Sequence, residues 1–154
     1  MKAFVPILQF VLISFLVGYI SMLLQRESMM VWYPVLDKSA LTPPGIVFSI
    51  VWSVLYLLMG ISAGLVWNTR TVYSWTMILV FIVQLALNML WSFCFFYMQS
   101  PVLGFVVLVV LFMVVVVYVA GSYTQHKWAA IMNIPYLLWL IFAGYLNLYV
   151  VINN

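Results

Sequence analysis

Seven tryptophans stand in this 154-residue chain, and three of them, Trp52, Trp91 and Trp139, fall deep inside apolar runs where no interfacial role explains an indole. Flat rings offer faces for stacking and one N–H donor each, which is recognition chemistry for a planar, largely apolar molecule. Gln84, Asn88, Trp91 and Phe95 follow i, i+4, i+7, i+11 spacing and so share one helix face. An amide facing lipid is expensive, so Gln84 and Asn88 are expected to point into a protein interior, where they either bond another helix or reach a ligand. Trp52, Tyr56 and Gly60 share a second face, and Pro135, Trp139, Ala143 and Asn147 a third.

The chemistry that is missing narrows the choice. Glu27 and Asp37 are the only carboxylate side chains, and both lie in one connection between apolar runs; the single histidine, His126, lies beside Lys127 in another. Coupled transporters place acids or histidines within the membrane as relays, and that is not available here. Neither a metal site, nor axial histidine ligation of a haem, nor a Ser/His/Asp or Cys/His pair can be assembled, so no metal, no resident cofactor and no conventional catalytic constellation is expected. Cys94 sits in an apolar run and reads as a packing residue. The basic residues Lys2, Arg26, Lys38, Arg70 and Lys127 are scattered, which excludes a nucleic-acid surface.

The elements that must position these residues follow from composition. The chain is 69% hydrophobic and 5% charged, with a mean hydropathy of +1.27, whereas a soluble domain carries roughly 25% charged residues. A hydrocarbon core of about 30 Å takes roughly 20 residues per helix, which leaves room for about five spans. Continuous apolar runs at 3–25, 45–67, 72–98, 101–123 and 128–152 predict an all-α, single-domain, five-transmembrane-helix bundle over 1–154; a β-barrel would alternate instead. The first run lacks a small-residue cleavage site and reads as a retained helix. Ser100 with Pro101, and Thr42 with Pro43, are read as helix starts, and Pro135 is expected to kink the last span.

The long connection 26–44 holds four of the charged residues yet also Trp32, Tyr33, Val35 and Leu36, so it is expected to lie on the membrane or to fold over the bundle as a lid. Trp67, Trp75 and Trp128 stand at span ends as an aromatic belt. Counted at 1.5 Å per residue, Trp52, Trp91 and Trp139 lie about 12, 13 and 18 Å in from the side that carries the lid, compatible with a shared cavity beneath it; core filling is the plain alternative. Gly60-Ile-Ser-Ala-Gly64 permits close helix approach, within the bundle or between protomers. Lys2, Arg70 and Lys127 on one side against Arg26 and Lys38 on the other place the N-terminus in the cytoplasm, were the membrane a bacterial plasma membrane.

The blocks WYPVLDKSALTPPGIVFSIVWSVLYLLMG (32–60), QLALNMLWSFCFF (84–96) and PYLLWLIFAGYLN (135–147) together resemble the TspO family, the tryptophan-rich sensory or translocator proteins also called peripheral benzodiazepine receptors. The resemblance implies a five-helix, often dimeric bundle that binds tetrapyrroles such as protoporphyrin IX and hydrophobic drug-like ligands under the first loop. Trp52, Asn88, Trp91, Trp139 and Ala143 match family pocket positions; Tyr33, Pro43 and Pro44 match the covering loop; Tyr56 joins them by its face. Two alternatives stand beside ligand binding. One is light-dependent porphyrin breakdown, in which Trp52 and Trp139 are the matching indoles and the porphyrin is substrate; the other is a structural or signalling subunit. Arg26 or Lys38 is the expected partner for propionates. The chain departs from the family at Ser39 and Leu41, where a proline and an aromatic are usual, which implies a looser lid. The cholesterol signature of eukaryotic members is incomplete, because no base follows Tyr149.

Overall fold

The computed structural model describes residues 4–154; Lys2 and the expected start of the first span at residue 3 lie outside the described residues. Among the described residues, five helical segments are long and apolar enough to cross a membrane: Phe4–Val31, Gly45–Thr69, Val72–Tyr97, Pro101–Gln125 and Lys127–Asn153. They comprise α1 (Phe4–Val31), α2 (Gly45–Thr69), α3 (Val72–Ser92, running on as a π-helical stretch Phe93–Tyr97), α4 (Pro101–Gln125), α5 (Lys127–Ile131) and α6 (Ile134–Asn153). Helices are what a bilayer demands, since each backbone N–H and C=O must find its partner inside its own segment. The chain is an integral, multi-pass membrane protein.

Helix ends depart from the sequence expectation for local reasons. α1 continues through Arg26–Val31, because no proline or glycine interrupts that stretch; the covering segment is therefore 32–44 rather than 26–44. Thr42 is not a cap: α2 begins at Gly45, after Pro44 at φ −57°, ψ 149°. Each proline disfavours helical backbone in the residue before it, so two in succession push Thr42 and Pro43 out of the helix. Ser100 does cap α4, its Oγ accepting from the Leu103 N–H at 3.5 Å with Pro101 in the first turn. The last span breaks at Met132 and Asn133, between α5 and α6, where Pro135 has no N–H to give the Ile131 carbonyl. In the π-helical stretch the Met98 N–H reaches back to the Phe93 carbonyl at 2.9 Å, and the widened turn lets the neighbours Phe95 and Phe96 both point inward, at 3% and 6% exposure.

The bundle has two unlike halves. Away from the loop, α1 rests on α2 with nothing between them: a Cβ on Gly60 would strike the backbone of Val11, and one on Gly64 the backbone of Ile7. The Gly60–Gly64 pair thus serves packing within the chain. In the same half Asn133 Nδ2 donates to Ser62 Oγ at 2.8 Å and to the Ala129 carbonyl at 2.9 Å, and the Ser62 and Tyr118 hydroxyls lie 3.1 Å apart, joining α2, α4, α5 and the turn before α6. Along its whole length α1 buries only Ser14, Ser21 and Ser28, one residue per two turns, and beneath the loop the helices part.

Candidate functional site

The parting leaves a cavity of about 380 Å³ between α1, α2 and α3, closed above by the loop. Trp52, Tyr56, Asn88, Trp91, Tyr33 and Pro43, six of the residues singled out from sequence, line it. Its open side is the seam between α1 and α2, where exposed Tyr19 and Met22 face Ser49 and Ser53.

Three indoles from three helices meet here. Trp52 stacks against Trp91 with ring centroids 6.2 Å apart and an angle of 28°, and meets Trp139 edge-on at 6.4 Å. Trp91 continues the stack onto Phe95 at 5.8 Å. Trp52 and Trp91 line the cavity; Trp139 stands behind Trp52, against Phe48 at 5.5 Å, and does not line the space. Ala143 belongs to a separate void of about 30 Å³ with Phe95, Leu146 and Asn147. Pro44 sets the start of α2 and takes no part in the wall. Geometry thus divides the expected set into six lining residues and three supporting ones.

The floor is held by hydrogen bonds. The Tyr56 hydroxyl donates to Asn88 Oδ1 at 2.7 Å, and Asn88 Nδ2 donates to the Tyr136 hydroxyl at 3.1 Å. Asn88 therefore ties α2, α3 and α6 together at the cavity base. Trp91 Nε1 donates to Asn147 Oδ1 at 3.2 Å, and Asn147 Nδ2 to the Pro101 carbonyl at 2.8 Å, which fixes the plane of one stacking indole. The second buried amide of the α3 face, Gln84, is fully buried with neither polar atom bonded to protein.

The loop is more firmly held than its sequence implies. Ser39 is buried, its Oγ lies 2.9 Å from the Tyr145 hydroxyl of α6 and accepts the Leu41 N–H at 3.2 Å. The Asp37 N–H donates to Asn154 Oδ1 at 2.9 Å while Asn154 Nδ2 donates to the Asp37 carbonyl at 3.1 Å. Ser39 thus tethers the loop to α6. Lys38 Nζ donates to the carbonyls of Tyr33, Pro34 and Leu36 at 2.7, 3.1 and 3.3 Å, and rests 4.9 Å above the Tyr33 ring. Its protons are committed to loop carbonyls. Tyr33 packs on Phe95 and Phe96, and burial holds its hydroxyl above the usual pKa.

Sequence reasoning missed the α1 wall, where Ser21, Met22, Gln25 and Met29 face the cavity. The signal was present: Ser14, Ser21 and Ser28 recur every seventh residue, marking the one inward strip of an otherwise apolar helix.

Comparison with known proteins gives the family. A family model described as the TspO/MBR family matches residues 10–152. The chain is similar to the tryptophan-rich protein TspO of Archaeoglobus fulgidus, 32% identical over 138 residues and 90% of each chain. It is also similar to the tryptophan-rich protein TspO of Chlorobaculum tepidum, 36% identical over 120 residues and 75% of each. A translocator protein of Bos taurus is 31% identical over 149 residues, covering 93% of this chain and 86% of the bovine one.

Proposed function

The chain belongs to the TspO/MBR family, and on that premise we propose that it is a receptor- or translocator-like membrane protein binding a tetrapyrrole such as protoporphyrin IX, and flat hydrophobic drug-like molecules, in the cavity under the loop. The observation that carries the reading is the Trp52–Trp91 stack that lines a cavity of about 380 Å³. That volume falls within the roughly 300–1,000 Å³ typical of small-molecule sites. Aromatic faces contribute about 0.5–1.5 kcal/mol per ring pair beyond the area they bury, the right currency for a planar ligand. Titration of protoporphyrin IX against tryptophan fluorescence tests it. The wild type is expected to be quenched strongly and the Trp52→Phe, Trp91→Phe double variant much less; equal quenching of the two overturns the site.

A second reading has one observation in its favour. Trp52 touches the rings of Tyr56, Trp91, Tyr136 and Trp139, all within 6.4 Å between centroids, a cluster of oxidisable side chains beside a bound photosensitiser. Light-dependent oxidation of the porphyrin, with dissolved dioxygen as the oxidant, then depends on Trp52 directly and on Trp139 through it. A coloured product formed only in light, and lost in Trp52→Phe, supports this; porphyrin loss at its free-solution rate removes it.

Two further features belong to the proposal. The N-terminus is cytoplasmic in a bacterial plasma membrane, supported by Lys2, Arg70 and Lys127 against Arg26 and Lys38. The protein is a homodimer as the family resemblance implies, and because α1 occupies Gly60 and Gly64, the dimer contact uses another face.

A further inference from the structure

Resting on the tetrapyrrole reading above, we infer that Gly18 is a positioning residue for the cavity floor: having no side chain, it lets the Tyr56 ring lie against α1, out of the ligand's space, and so sets the depth of the cavity. Glycine is out of place in the middle of α1, where it loses more backbone freedom on folding than any other residue. No described glycine has a positive φ, so backbone conformation does not call for it. Space does. A Cβ on Gly18 would lie 2.5, 2.8 and 3.1 Å from Cε2, Cδ2 and Cζ of Tyr56, where carbon atoms rest at about 3.5–4.0 Å. Gly60 and Gly64 admit the backbone of α1, whereas Gly18 admits a ring, and it is Gly18 and Tyr56 that line the cavity.

The backbone has little room to yield. Seven residues before Gly18, the Val11 backbone already fills the place of a Gly60 side chain, and beyond it α1 runs into the loop tied to α6 through Ser39 and Tyr145. The ring is held as well. It lies against Trp52, with centroids 5.6 Å apart and an angle of 30°, has Phe15 at 6.4 Å, and donates its hydroxyl to Asn88 Oδ1 at 2.7 Å. A methyl at position 18 therefore drives the ring toward the unfilled space it borders, the cavity, and draws the hydroxyl off Asn88. A ligand as broad as a tetrapyrrole, lying along the row Trp91, Trp52 and Tyr56, then loses the end of its site.

The test titrates protoporphyrin IX into full-length wild type, Gly18→Ala, Tyr56→Leu and the double variant in one detergent, with unfolding midpoints measured alongside. Gly18→Ala is expected to raise Kd at least about tenfold, the size of one buried hydrogen bond lost, and to lower the midpoint. Tyr56→Leu carries its own cost and serves as the reference background. Within it, the same alanine is expected to change Kd less than about twofold and to leave the midpoint unchanged or raise it, as alanine for glycine does in an unobstructed helix. A Gly18→Ala protein that fails to fold beside a double variant that folds and binds shows the same coupling and supports the inference. A Kd in Gly18→Ala within about threefold of wild type, an equal loss in both backgrounds, or a double variant that also fails to fold overturns it. Wild type that does not bind protoporphyrin overturns the tetrapyrrole reading instead, and the midpoints alone then decide whether Gly18 positions the ring.

Discussion

In the half of the bundle away from the loop, α1 lies against α2 backbone to backbone at Gly60 and Gly64; beneath the loop the same two helices flank a cavity of about 380 Å³. Each half has its own polar network: Ser62, Tyr118 and Asn133 are joined in the distant half, and Tyr56, Asn88 and Tyr136 across the cavity floor. Lipid is as apolar as leucine, so helix association in the bilayer rests on close packing and interhelical hydrogen bonds rather than on the hydrophobic effect. A bundle that must hold open a site in one half has to secure its packing in the other. The glycine seam and the asparagine networks are that security, and the stacked indoles are too large and stiff to collapse into the space they surround.

The sharpest way to break this comparison is to add the same bulk to each half. Gly64→Val puts side-chain atoms where Ile7 Cα lies and is expected to cost about 3 kcal/mol, the upper range for overpacking. Ser53→Val, on the exposed seam of the cavity, is expected to stay within about 0.5 kcal/mol. Thermal unfolding in detergent measures both, and equal costs would mean that the two halves are packed alike.

Next in size is the floor. Asn88→Leu leaves the Tyr56 and Tyr136 hydroxyls without the bonds they now make, at a cost of about 1–2 kcal/mol for interhelical hydrogen bonds in a membrane. It also frees the Tyr56 ring to move into the cavity. Protoporphyrin affinity is expected to fall together with stability. A variant that loses stability but binds normally would make Asn88 a strut rather than part of the floor.

Five spans, their approximate limits and the inward face of α3 were legible in the sequence, because lipid leaves a helix no choice and period 3.6 marks which side is buried. Trp52 and Trp91 were recognisable as cavity residues for the same reason. Trp139 was expected in the wall from its depth along the helix, which says nothing of rotation about it, and it stands behind Trp52 instead. The α1 wall was hidden in a helix whose mean apolarity drowns a strip of three serines. Lid tethering depends on pairs 106 and 117 residues apart, and no local pattern announces such contacts.

A smaller effect separates the lid from both halves. Ser39→Ala removes the partner of the Tyr145 hydroxyl and of the Leu41 N–H, and about 1 kcal/mol is expected to be lost. Tyr145→Phe is expected to do nearly the same, and the double variant to cost less than the sum, as in any pair that acts together. Stopped-flow release of porphyrin is expected to quicken in each. Unchanged release would show that ligands leave by the α1–α2 seam without disturbing the loop.

The smallest effect decides most about how the halves meet. Gln84 stands one helical turn from Asn88 on the same face of α3, yet its amide has no protein partner at either atom, although it is fully buried. A bonded amide and an unbonded one thus sit side by side in the same environment. Burying an unsatisfied amide costs roughly 1–3 kcal/mol by protein mutational measures, so replacing it with an apolar side chain of similar length recovers that cost. Gln84→Leu is therefore expected to leave the unfolding midpoint unchanged or to raise it, in contrast to Asn88→Leu. The opposite outcome, a loss of more than about 1 kcal/mol, is the signature of hydrogen bonds the amide makes through bound water. Water held there would join the Asn88 floor to the Ser62 and Asn133 network, and the boundary between an open half and a closed one would then be a wet joint rather than a packed layer.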